Sequence, residues 1–256
     1  MAEEGSWEGW HFLPGDGRLW GKGKLPETER IEVHAGVTYR IEGTPRPCKH
    51  GLHASRRAVD ALGYAPNAQG LIICRVRLGG TIMEDFDKAC ATERTVLWMA
   101  DATRALHEFA MWCAEGALTG SNVRDERPWR ALEVKRRWLD GQATDEELAI
   151  ARAAAQEAAR AADDTGWAAT VDAAVAAAVA ASRFPRDAAR VAAVAAAVAA
   201  ARAAARAAAV VARDAVGHAA VVARDAVGHA VGHAAGDAAG DELERRLLAL
   251  GPAVTP

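Results

Sequence analysis

Apolar residues follow two contrasting patterns along this chain. Up to about residue 100 they form short runs with the length and branching of strands: Gly9–Leu13, Thr38–Ile41, Leu52–Ala54, Leu71–Leu78 and Glu93–Trp98. Pro14-Gly-Asp-Gly17 is a turn cluster, and Arg18–Trp20 resumes extended chain, which together predict a hairpin with the first run. Ser55 is placed to N-cap a helix to about Tyr64, with Ala58, Ala61 and Leu62 on one face. Gly79-Gly80 is expected to break the strand at Leu71–Leu78, and Thr81–Phe86 reads as short strand or loop. Thr92–Met99 is also compatible with helix.

Beyond that point the spacing becomes helical. Asp101 or Thr103 opens a helix to about Leu118, with Ala105, Leu106, Phe109, Ala110 and Cys113 on one face. Trp129–Leu139 is amphipathic and closed by Asp140-Gly141, and its Lys135-Arg-Arg137 reads as a solvated face. Thr144-Asp-Glu-Glu147 is a capping box opening a helix to about Ala162. A second helix covers 168–182, with Val171, Val175 and Val179. After Phe184-Pro185 a third starts near Asp187 and is expected to run past residue 230. It contains a tandem, Val210–Ala220 repeated as Val221–Val231, whose 11-residue period favours slight right-handed supercoiling. Asp241–Leu250 is a terminal amphipathic helix with Leu243, Leu247 and Leu250, stopped by Pro252.

Composition sharpens the division. Hydrophobic residues make up 51% of the 256, but alanine inflates that figure, and an alanine methyl buries little area. All the tryptophans except Trp167 precede residue 140, so the large-residue core belongs to the first half. The expected class is α+β: a small β-rich domain with flanking helices over 1–118, a helical connector over 119–143, and an Ala-rich all-α tail over 144–256. A net charge of −3 does not indicate nucleic acid. There is no long Leu-, Ile- or Phe-rich run to span a membrane, and Met-Ala-Glu-Glu-Gly is the reverse of a secretory leader. The expected location is the bacterial cytoplasm. Cys48, Cys74, Cys90 and Cys113 lack paired spacing and read as reduced small residues.

Candidate chemistry is sparse. His218, His229 and His233 fall on one helical stripe, with Asp225 and Asp237 four residues from His229 and His233; solvated pairs account for this better than a metal. Cys48, His50 and His53 match no common zinc spacing, so no metal is expected. Gly15-Asp-Gly17 and Gly21-Lys-Gly23 fit neither a P-loop nor a dinucleotide fingerprint, and Gly-x-Ser-x-Gly is missing.

Two resemblances add to this. Trp10-His-Phe, Pro47-Cys-Lys-His-Gly-Leu-His-Ala-Ser55, Asp60–Pro66, Val76–Gly80, Asp87-Lys88 and Thr92-Glu-Arg94 resemble a family of uncharacterised phage and bacterial proteins that often carry Ala-rich tails. More distantly, Gly51-Leu-His-Ala-Ser, then Ala58, Ala61 and Tyr64, then Gly70–Gly79, is similar to the core of ADP-ribosyltransferases of the diphtheria-toxin and poly(ADP-ribose) polymerase type. That family has a Gly-Ile-Tyr-Phe-Ala strand and a second Tyr 11 residues after the first; here His53 and Tyr64 stand 11 apart. His11 matches the first-strand His, although Phe-Leu follows it rather than Gly-Ser or Gly-Thr, and Glu93 matches the last-strand Glu.

The resemblance implies NAD as cofactor, with His11 on its ribose and Tyr64 stacked on nicotinamide. His53 lies in the cofactor site, where Tyr is usual. Glu93 polarises the ribose as positive charge develops on the sugar. The leading expectation is therefore an NAD-dependent ADP-ribosyltransferase-like protein, with Glu93 and His11 catalytic and His53 and Tyr64 binding cofactor. The alternative is a non-enzymatic protein that self-associates or binds a protein partner through its Ala-rich helices.

Overall fold

The computed structural model describes residues 7–19, 30–163, 168–211 and 218–252, with side chains except at 162–171, 202–229, 231 and 232. The class is mixed: an antiparallel sheet followed by several helices. Strands are β1 (Trp7–Pro14), β2 (Thr38–Arg40), β3 (Leu52–Ala54), β4 (Leu71–Glu84) and β5 (Ala89–Asp101). Helix α1 (Ala58–Gly63) lies between β3 and β4. After β5 come α2 (Thr103–Gly120), α3 (Glu126–Leu139), α4 (Asp145–Asp163), α5 (Ala168–Ala180), α6 (Pro185–Val211) and α7 (His218–Leu248). The chain divides into two compact units, Met1–Ala105 with Phe184–Arg186 and Glu242–Pro256, and Leu106–Arg183 with Asp187–Asp241. None of the helices among the described residues is long and apolar enough to cross a membrane.

In the first unit, β1 pairs with β4, β4 with β5, and β5 with both β2 and β3, all antiparallel. Past β3, Ser55 exchanges backbone hydrogen bonds with Trp10 of β1, at 2.7 and 3.0 Å. The strands therefore form a circuit from β1 through β4, β5 and β3 back to β1. This is why Ser55 does not cap a helix: its backbone is committed to β1, and α1 begins at Ala58 after Arg57, which makes no side-chain cap. The expected hairpin between Gly9–Leu13 and Arg18–Trp20 is also replaced. Arg18 bridges Glu32, and β1 takes β4 instead, matching Trp7 to Leu78 and Leu13 to Ile72. A long apolar strand offers β1 more buried surface than a three-residue return can.

Gly79-Gly80 bends β4 rather than ending it. Gly80 adopts φ 67° at a bulge, Thr81 N–H donates to Thr92 Oγ1 at 3.0 Å, and the ladder resumes at Ile82 opposite Ala91. The helical alternative for Thr92–Met99 is not taken; those residues lie within β5. The core gathers Trp7, Leu13, Val33, Cys74, Val76, Leu78 and Val96. Trp10 is fully buried, edge-on to Trp98 at 5.7 Å, and donates to Glu244 Oε1 at 3.3 Å. The expected terminal helix is the end of α7: Leu243 and Leu247 are buried, while Leu250, past the helix end, is exposed.

In the second unit, α4 packs on α3 and α5 through Ala131, Val134, Leu148, Ala155 and Ala178. The capping box forms as read: Thr144 Oγ1 accepts from Glu147 N–H at 3.1 Å, and Glu147 Oε2 accepts from Thr144 N–H at 2.7 Å. α3 starts three residues earlier than expected, because Asp125 caps it and Pro128 is tolerated in the first turn. Lys135 is not on a solvated face. It is fully buried, its Nζ donates to Ser182 O at 2.8 Å and lies 3.8 Å from the Trp138 ring centroid. α6 begins at Pro185; the stretch 212–217 and the side chains of Val210–Ala220, His218 and His229 lie outside the described residues.

Candidate ligand-binding site

Two of the singled-out positions, His11 and His53, feel the charge of one buried cation in the first unit. Arg94, in β5, is only 2% exposed. Its Nη1 donates to His53 O at 2.9 Å, while Nε and Nη2 find no acceptor among the described residues. Arg94 makes no ion pair among the described residues, and burial pulls its guanidinium down to about 10, still charged at neutral pH. His11 on β1 and His53 on β3 are both partly exposed. Burial first, then the charge of Arg94 and the nearness of His53, holds the His11 ring well below the usual histidine range. Burial likewise lowers His53, with Arg94 and Lys88 adding to it against a raising hydrogen bond at Gly51. Cys74, opposite His11 in the β1–β4 ladder, is pushed up to about 12 by burial, which keeps it a neutral thiol.

The loop before β3 builds the rim. Cys48 takes a left-handed φ of 62°, and its backbone N–H donates to His53 Nε2 at 3.2 Å, fixing that nitrogen as an acceptor. Gly51, at φ 143°, passes so close to β5 that a Cβ there would sit 2.8 Å from Cys90 Cβ. Only glycine fits this crossing, so the Cys-Lys-His-Gly-Leu-His stretch reads as a backbone device that sets His53.

Tyr64 follows α1 and is 53% exposed. Its hydroxyl donates to Asp87 Oδ2 at 2.6 Å and accepts from Lys88 Nζ at 2.8 Å. The hydrogen bond to Asp87 raises the Tyr64 phenol above its ordinary range. Lys88 Nζ also lies 4.1 Å from the Tyr64 ring centroid. The Tyr64 hydroxyl, and secondarily the Cys48 thiol, hold the Lys88 ammonium above the usual lysine range. Tyr64 is thus linked to His53 through Lys88, whose charge reaches the imidazole.

Glu93 stands apart. It precedes Arg94 in an unbroken part of the β5 ladder, so its side chain leaves the sheet on the other face. There its Oε1 accepts from Arg40 Nε at 3.0 Å, and Gly79 lies beneath it. The arrangement implied by the transferase resemblance, with His11, Tyr64 and Glu93 in one cleft, is not formed. His11 and His53 come together, Tyr64 joins them at one remove, and Glu93 does not.

Arg94, Lys88 and Asp87 carry no role in the sequence reading. One signal did point to Arg94: it shares strand parity with Val96, so a charge stands where alternation puts core. Of Cys48, His50 and His53, the two imidazoles go to separate partners. His50 bonds Glu42 O at 2.7 Å, and no group of three or more His, Cys, Asp or Glu among the described residues stands close enough to hold a metal ion.

Comparison with known proteins adds a domain assignment without a function. No curated protein matches the chain, and no solved structure does. Residues 30–108 match a family described as a domain of unknown function, DUF7666; the match takes in His53, Tyr64, Glu93 and Arg94 but stops short of His11.

Proposed function

We propose that the first unit binds an NAD-type ligand at the His11–His53–Arg94 cluster, and does so without ADP-ribosyl transfer through Glu93. The observation that carries the binding half is Arg94, a buried charge that spends one nitrogen on the His53 carbonyl and leaves two unpaired. Such a group fits the anionic part of a dinucleotide, while Tyr64 offers an exposed ring for a flat base. The non-catalytic half follows from Glu93. Transfer needs a carboxylate facing the ribose as charge develops, and the Glu93 carboxylate is paired with Arg40 on the other face.

Titration with NAD, followed by tryptophan fluorescence and by free nicotinamide, tests both halves. Saturable quenching without nicotinamide is expected, since Trp10 neighbours His11. No fluorescence change at millimolar NAD overturns the binding half. Nicotinamide release that disappears in Glu93→Ala overturns the non-catalytic half.

A second reading, self-association through the Ala-rich helices, draws support from α6. Val194 is 59% exposed and Val198, one turn on, is 37% exposed. Sedimentation of the full chain is expected to give a mass above 26.9 kDa that falls in a Val194→Glu, Val198→Glu variant. A wild-type monomer contradicts this reading.

A further inference from the structure

Arg94 has one complete guanidinium edge without an acceptor. Nη1 is spent on His53 O, and the two nitrogens left, Nε and Nη2, are the pair whose N–H bonds run parallel along one side of the group. That edge is the geometry with which arginine takes two oxygens of one oxyanion. A buried guanidinium edge without acceptors is costly, and a native fold rarely carries such a cost without an occupant.

The surroundings select for negative charge. Neither ion pairs nor acceptors reach the free edge among the described residues, and the nearest carboxylate in sequence, Glu93, faces away to Arg40. The Arg94 and Lys88 charges both act on the His53 ring, and the Arg94 charge acts on His11. A tetrahedral oxyanion gives this edge two of its oxygens, and the Arg94 and Lys88 charges favour its negative charge.

We propose that the Nε–Nη2 edge of Arg94 is the seat of a phosphate group. This rests on the NAD-type reading only for what carries the phosphate. The seat itself is defined by inorganic phosphate.

The test uses the full chain. Thermal unfolding is followed in inorganic phosphate against sodium chloride at equal ionic strength, for the wild type and for Arg94→Lys. Arg94→Lys keeps the charge but loses the fork. A phosphate-specific rise in Tm is expected in the wild type, with phosphate affinity at least about tenfold weaker in Arg94→Lys. If the variant does not fold, phosphorus NMR line broadening on the wild type, reversed by pyrophosphate, replaces it. Identical Tm in phosphate and chloride overturns the proposal and leaves the edge to water. Phosphate stabilisation that persists unchanged in Arg94→Lys also overturns it. Stabilisation by phosphate with no NAD binding upholds the seat and removes the dinucleotide reading. NAD binding that pyrophosphate does not displace, and that Arg94→Lys retains, overturns the seat and places the dinucleotide away from Arg94.

Discussion

Glu93 and Arg94 are neighbours in β5 that face opposite ways and meet opposite fates. Glu93 reaches the surface and pairs with Arg40 at 3.0 Å; Arg94 turns inward, spends one nitrogen on the His53 carbonyl and leaves two unpaired. One residue of register separates an ordinary surface ion pair from a buried cation. The transferase resemblance picks out the first. The geometry directs attention to the second.

Removing the Glu93 carboxylate is expected to do little. Its ion pair is solvent-exposed, and such pairs contribute about 0–1 kcal/mol. Urea unfolding of Glu93→Ala is expected within about 1 kcal/mol of wild type, with NAD-induced quenching unchanged. A larger loss of stability, or lost quenching, contradicts the placement of Glu93.

Two buried bases in the second unit give stability a pH slope. Burial first, and then the Lys135 charge, holds His107 down at about 3 against an ordinary 6.5. Between those values the unfolded chain binds a proton that the folded one refuses, so stability falls as pH drops from about 6.5 to about 3. Burial lowers Lys135 from 10.5 to about 7, with Asp145 opposing, so stability rises with pH from about 7 towards 10.5. Lys135→Met is expected to flatten that alkaline rise in denaturant titrations across pH. An unaltered slope would show the amine to be solvated.

The capping box at the start of α4 is worth a measurable amount. Thr144→Ala removes the acceptor of the Glu147 N–H bond and is expected to cost about 1 kcal/mol in urea unfolding. A neutral effect would place the helix start elsewhere.

Gly9 tests the closure of β3 onto β1. A Cβ at this position would lie 2.5 Å from Ser55 O and 2.6 Å from the Trp7 ring. Gly9→Ala is expected to destabilise by about 1–3 kcal/mol, because backbone on one side cannot yield cheaply. A stable variant would mean that Ser55 does not pair with Trp10.

Local signals in the sequence located most strands and helices, because alternation and capping are local physics. Gly9–Leu13, Thr38–Ile41, Leu52–Ala54 and the Thr144 box all appear where the pattern puts them. Pairing was not legible. Which strand takes β1 depends on the area a distant strand can cover, and Gly80 breaks or bulges according to whether Thr92 is there to meet it. Lys135 shows the same limit: a basic run reads as solvated until a carbonyl and an indole enclose one member. At the site, His11 and His53 carried type and spacing cues, but no short-range cue shows that Arg94 meets the His53 carbonyl.

The most direct measurement is the imidazole NMR of His11 and His53, assigned by substitution, while NAD is added to the full chain. Both ring resonances are expected to move together and saturably, while the exposed His34 ring, outside the cluster, stays in place. If neither moves at millimolar NAD, or if His34 moves equally, the cluster around Arg94 is not where the ligand binds.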